Sequence, residues 1–196
     1  SSELLSARHA FAKDYSRPLW LFWLSILMAN LSIALSSLSR DQLKSGSVLL
    51  FACLLYTVLN QKLSRRFFPK EFCVALIYTG GVVVFLEGAT PKGFILFFTM
   101  LCLMNCLMIG AKEMLIDAKL RTHSLAALIL ESRLSLYALC LHLLAILAAP
   151  QLRIELSLSF LGLGILHRLR KRFSVESYRV AVDGLLIVAP AAALIV

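Results

Sequence analysis

The sequence predicts an all-α, polytopic transmembrane bundle of about seven helices, and three observations carry that prediction. Hydrophobic residues make up 60% of the 196-residue chain and charged ones only 16%, which is more apolar surface than a soluble domain of this length can hide from water. The apolar residues collect in seven runs, at 18–38, 43–60, 71–87, 92–110, 132–149, 152–167 and 178–196. The twenty Lys and Arg residues fall unevenly among them: sixteen lie before the first run and in or at the edge of the second-to-third, fourth-to-fifth and sixth-to-seventh connections, and Arg40, Lys44, Lys92 and Arg153 lie in or at the edge of the others. Short loops rich in Lys and Arg remain cytoplasmic. The asymmetry therefore predicts one integral membrane domain over residues 1–196, with a cytoplasmic N-terminus and the C-terminus across the membrane.

The runs are separated by short connections punctuated at Pro18, Gly46, Pro69, Pro91 with Gly93, and Pro150, as expected of adjacent antiparallel helices. Serines in the 32–39 stretch of the first run are small enough to let helices approach closely. The second run ends in a polar cluster from Tyr56 to Arg66, in which Lys62 and Arg65 are placed to reach phosphate oxygens, Arg as a bidentate donor and Lys as a point charge. Anchoring at the cytoplasmic face accounts for the same two residues without a ligand. The third run carries the small pair Gly80 and Gly81.

The end of the fourth run is the most chemically loaded stretch, running from Asn105 through Glu113, Asp117 and Lys119 to Arg121. If the helix continues through it, Glu113 and Asp117 are four residues apart and share a face at the inner membrane boundary. Both lie near a helix C-terminus, where the macrodipole disfavours negative charge, so a compensating group is expected, and Mg2+ suits hard carboxylate oxygens. The competing reading is a solvated, salt-bridged helix end, because Asp117 and Arg121 are also four apart and Lys112 and Lys119 are close. Asn105 lies deeper and needs a hydrogen-bond partner, on another helix or in a site.

The fifth run carries His142, read as a packed or hydrogen-bonded side chain, and the short sixth run extends into the interface through Arg153 and His167. Gly162 and Gly164 sit inside that apolar run with no preceding strand, so they mark close packing rather than a dinucleotide loop. In the seventh run Asp183 is expected to pair with a basic residue or to supplement a cation site.

These patterns exclude several classes. The net charge of +9 sits in short loops whose topology explains it, so the expected partners are membrane lipid and a phosphate-bearing ligand, not nucleic acid. All five cysteines lie within apolar runs, against a disulfide framework and against zinc. A seven-helix receptor or retinal protein is opposed by the cytoplasmic N-terminus and by the lack of a Lys in the seventh run. A non-catalytic membrane protein or a small-molecule or lipid transporter is the alternative to an enzyme, with Asn105, Asp183 and the bases along a path. The concentration of polar residues at cytoplasmic helix ends favours an interfacial site for a charged head group.

Three stretches together resemble the UbiA-type membrane prenyltransferases: Arg8-His9-Ala10-Phe11 before a Trp-containing helix, Pro69-Lys70-Glu71 opening the third run after Tyr56 and Lys62, and Asn105-Cys106-Leu107 leading to Glu113 and Asp117. The resemblance implies that the seven runs correspond to helices three to nine of a nine-helix family bundle. It further implies that Glu113 and Asp117 stand at the family's second acidic motif, where they hold Mg2+ and act catalytically on an isoprenoid diphosphate. On the same mapping Tyr56 and Lys62, with Arg65, Asn105, Lys119 and Arg121, are the expected diphosphate-binding residues, and a lipophilic, aromatic or similar molecule accepts the isoprenoid. The family's first acidic motif belongs to two helices that have no counterpart in this chain, and Glu113 stands where Asp is usual. With Ser at position 1, the sequence is expected to be a piece of a longer enzyme or a short relative that has lost catalysis.

Overall fold

The computed structural model describes residues 16–63, 69–85, 92–119, 125–129, 133–148 and 154–193. Their regular structure is helical: α1 (Ser16–Ser37), α2 (Arg40–Leu63), α3 (Lys70–Phe85), α4 (Lys92–Lys119), α5 (Leu134–Ala148), α6 (Ile154–Leu169) and α7 (Val175–Ala193), with 3-10 turns at Leu125–Leu128 and Arg170–Arg172. Each of the seven apolar runs has become one helix. Among the described residues, three helices are long and apolar enough to cross a membrane, at Arg17–Ser37, Arg40–Asn60 and Lys92–Met114. The others differ from the sequence expectation for two physical reasons. α3, α5 and α6 have 16, 15 and 16 residues, below the roughly 20 that span a hydrocarbon core. α7 places Glu176, Arg179 and Asp183 in its first half.

The chain divides into two compact units, Ser1–Ser45 and Gly46–Val196. In the first, α1 presents Trp20, Phe22, Trp23, Leu27 and Met28 outward, and its polar side chains turn back on their own helix: Ser25 Oγ donates to Leu21 O at 2.8 Å and Asn30 Nδ2 to Ile26 O at 2.8 Å. Such back-bonding gives each polar side chain an acceptor on its own helix. Ser36 Oγ likewise donates to Ile33 O at 3.0 Å. α2 starts with a reciprocal cap in which Gln42 N donates to Ser39 Oγ and Ser39 N donates to Gln42 Oε1, at 3.3 and 2.9 Å. Two otherwise orphaned backbone donors are satisfied at once.

The second unit is organised around α4, which packs against α3, α5, α6, α7 and the 3-10 turn at Leu125–Leu128. Its buried residues, Phe98, Leu101, Cys102, Asn105, Met108 and Ala111 among them, recur at three- and four-residue steps, the spacing that keeps a stripe on one side of an α-helix. Phe160 and Leu163 of α6 and Tyr178 and Val182 of α7 meet that stripe in the same core. α5 and α6 are tied by His142 and Ser157, whose Oγ lies 2.8 Å from His142 Nδ1.

Small residues set the helix spacing, as the sequence implied. A Cβ on Gly162 would lie 3.0 and 3.1 Å from the two Cδ atoms of Leu185 on α7, and one on Gly164 would lie 3.5 Å from Ala138 Cβ on α5. Gly80 brings α3 against Leu49 of α2, with a 3.0 Å approach to its Cδ1. Gly162→Val is expected to destabilise the bundle by about 1–3 kcal/mol through overpacking, whereas Gly46→Ala, with nothing within 4 Å, should cost nothing. Thermal unfolding of the two variants in detergent measures the contrast.

Candidate functional site

The polar residues that the chain brings together meet in a cavity of about 410 Å³ within the second unit, lined by α2, α3, α4 and α7. The lining residues on these elements lie toward the ends that border the basic connections, because consecutive helices run antiparallel and the C-terminal half of α4 sits beside the N-terminal halves of α3 and α7. Val74, Ala75, Leu186 and Ile187 supply apolar wall, while Tyr56, Lys70, Glu71, Asn105, Glu113, Arg179 and Asp183 supply polar groups. Charged groups of both signs share one hollow.

On α4, Glu113 accepts a hydrogen bond from Arg179 Nη1 of α7 at 3.4 Å, with side chains 25% and 59% exposed. An ion pair so long and so open contributes about 0–1 kcal/mol, so the guanidinium is readily drawn to another anion. Eight residues earlier, about 12 Å along the axis, Asn105 is 3% exposed, and its Nδ2 donates to Asp183 Oδ1 at 3.0 Å. The amide thus bridges two helices, as expected for a polar side chain at that depth, but its partner is a carboxylate. Among the described residues Asp183 pairs with Asn105 and with no base. Glu71, 4% exposed at the start of α3, accepts from Leu125 N at 3.1 Å and so fixes the entry to the 3-10 turn.

Of the residues expected from the sequence, Tyr56, Asn105, Glu113 and Asp183 line the cavity. Lys62, on the same helix as Tyr56, is exposed and stands outside the lining. α4 runs on to Lys119, so the backbone of Asp117 and Lys119 is helical and Asp117 follows Glu113 by about one turn; their side chains, like Arg65 and Arg121 altogether, lie outside the described residues. Among the described residues no group of three His, Cys, Asp or Glu side chains is placed to hold a metal ion.

Lys112, which the sequence placed as a cation beside the acidic pair, turns elsewhere. Its Nζ donates to Arg170 O at 2.8 Å and to Phe173 O at 3.1 Å and sits 5.9 Å from the centre of the Tyr178 ring. These carbonyls lie at the 3-10 turn between α6 and α7, where Arg170 O also accepts from Phe173 N at 3.3 Å, and the lysine adds a charged donor to both. The Tyr178 hydroxyl lies 3.0 Å from Nδ1 of the fully buried His167, joining α7 to α6 in the same cluster.

Arg179, Lys70, Glu71 and Tyr78 are cavity residues that the motif reading did not assign. A signal existed for Arg179: it precedes Asp183 by four residues, so the two share a face of α7. Nothing local indicates that this face meets Glu113, which is 66 positions away. No protein-family model, curated protein or solved structure matches the chain.

Proposed function

We propose that the chain is a membrane prenyltransferase of UbiA type, partial or diverged, which transfers an isoprenoid from an allylic diphosphate to an aromatic or similar lipophilic acceptor. The observation that carries this reading is the union in one cavity of a polar mouth, with Glu113, Arg179 and Lys70, and an apolar wall of Val74, Ala75, Leu186 and Ile187. A ligand that is anionic at one end and greasy along its length matches that division.

Glu113, with Asp117 one turn further along α4, would hold Mg2+, the oxygens of the diphosphate completing its shell, since Mg2+ is commonly bound by one or two carboxylates plus substrate phosphates. The ion would neutralise charge on the departing diphosphate. Arg179 exchanges its weak pairing with Glu113 for the phosphate oxygens and holds them in bidentate fashion. Lys70 adds a second positive charge at the mouth. The apolar wall surrounds the allylic carbon and keeps water from it while the acceptor attacks. Cytoplasmic basic loops and a lipid-embedded body belong to the same proposal.

The test is transfer itself. The protein in lipid nanodiscs, given geranylgeranyl diphosphate and a panel of hydroxylated aromatic acids, should form prenylated product with Mg2+ and none with EDTA. Absence of product, together with failure of the diphosphate to bind, would favour the alternative of a non-catalytic protein or transporter, for which the ready-made Glu113–Arg179 pair is the supporting observation.

A further inference from the structure

We propose that the turn between α6 and α7 binds the head group of an anionic phospholipid, whose acyl chains lie along the exposed face of α6. The starting point is a set of cations without partners. Arg168, Lys171 and Arg172 are exposed and crowded together at the end of α6. Among the described residues, none of these side chains makes a hydrogen bond or meets a carboxylate within ion-pair distance. Arg170 is different: its Nη1 turns back to donate to His167 O at 3.1 Å. Like charges held so near one another repel, and an anion among them relieves the repulsion. The turn that carries them is also pinned. Lys112 Nζ donates to the carbonyls of Arg170 and Phe173, Phe173 N donates to Arg170 O at 3.3 Å, and the Phe173 ring packs against the core. Insertion topology asks only for positive charge in this connection, not for a fixed turn to present it. Donors fixed in advance lose less freedom on binding than the same side chains on a loose loop, and arginine forks match phosphate oxygens two at a time.

Apolar surface beside the turn selects a lipid over a free anion. Leu158, Ile165 and Leu169 of α6 are exposed and recur at steps of seven and four residues, so they form one stripe along the helix. Arg168 stands at the end of that stripe, three residues after Ile165. The length of α6 sets the depth of the bases. Its 16 residues rise about 24 Å, less than a hydrocarbon core of about 30 Å, so in a bilayer the cations that follow are held at the level of the lipid phosphates instead of beyond them. An anionic head group on the turn and acyl chains on the stripe cover both parts of this surface. A soluble phosphate or an acidic peptide would engage the turn and leave the stripe bare.

This inference rests on the lipid-embedded body of the proposed function and not on prenyl transfer, and its test contains neither Mg2+ nor an allylic diphosphate. The full chain in dodecyl maltoside, stripped of lipid, would be titrated with dioleoyl phosphatidylglycerol or dioleoyl phosphatidylcholine, and bound lipid counted by native mass spectrometry. The first phosphatidylglycerol should bind about tenfold more tightly than the first phosphatidylcholine. Arg168→Gln, Lys171→Gln and Arg172→Gln together should bring the two within about twofold and leave phosphatidylcholine binding unchanged. Arg40→Gln, Lys44→Gln and Lys92→Gln together, which remove the same charge elsewhere, should preserve the preference. Loss of the preference in both triple variants would make it an effect of net charge and overturn the site. Displacement of phosphatidylglycerol by millimolar inorganic phosphate or by polyglutamate would overturn it in favour of a soluble anion or an acidic protein. Equal binding of the two lipids overturns this inference and leaves the membrane body standing, whereas a chain that stays in solution without detergent and binds neither lipid overturns both.

Discussion

Glu113→Gln is expected to lower Mg2+-dependent prenyl transfer at least about a hundredfold while the protein remains folded and inserted. Glutamine keeps the size of the side chain and can still accept from Arg179, so the packing at the mouth of the cavity is preserved; what disappears is the negative charge needed beside a divalent ion. A mutation that removes stabilisation realised during departure of the diphosphate should reduce kcat and kcat/KM together. Arg179→Lys should give a milder defect seen mostly in KM, since lysine retains charge but not the bidentate fork. Steady-state assays with geranylgeranyl diphosphate measure both. Full activity in Glu113→Gln would remove this residue from the site.

The second large effect concerns stability. Lys112→Met keeps most of the aliphatic stem yet removes the ammonium that bonds Arg170 O and Phe173 O and faces the Tyr178 ring. A loss of about 2 kcal/mol is expected, in the range for hydrogen bonds to a charged group. It should localise. The turn at Arg170–Arg172 contains three consecutive basic residues, so trypsin cleavage there should accelerate in Lys112→Met well before the helices unfold. Lys112→Arg, which retains donors, should recover part of the protection.

How much of this could be read from the sequence follows from the range of each interaction. The helices were legible because hydrophobicity is a local signal: the run at 92–110 and the helix Lys92–Lys119 share their start, and the run at 71–87 appears as Lys70–Phe85. The close-packing role of Gly162 was legible too, since a glycine in an apolar helix has few other uses. Carboxylate spacing marked Glu113, and the family resemblance Tyr56, as neighbours of a polar site, and both line the cavity, whereas Lys62, marked by the same resemblance, does not. Which groups would meet them was not legible. The bonds Asn105–Asp183 and Glu113–Arg179 join positions 78 and 66 apart, and depend on how α7 is rotated against α4, a property of the packed core rather than of either segment. Lys112 shows the same limit from the other side. Adjacent to Glu113 in sequence, it points to a different neighbour because consecutive residues on a helix diverge by about 100°.

The two glycines of α6 have a consequence for how far the C-terminal helices can shift against one another. Gly162 abuts α7 and Gly164 abuts α5, so α6 is wedged on opposite flanks with its backbone against both neighbours, and rolling it either way drives main chain into side chains. α4 joins the same end of the bundle through Lys112, which bonds the Arg170 and Phe173 carbonyls at the turn between α6 and α7. Gly80 meets Leu49 at 3.0 Å as well, so the α2–α3 seam leaves no more room for added bulk than the α6–α7 seam does, and a larger residue at either glycine has to push a neighbouring helix aside.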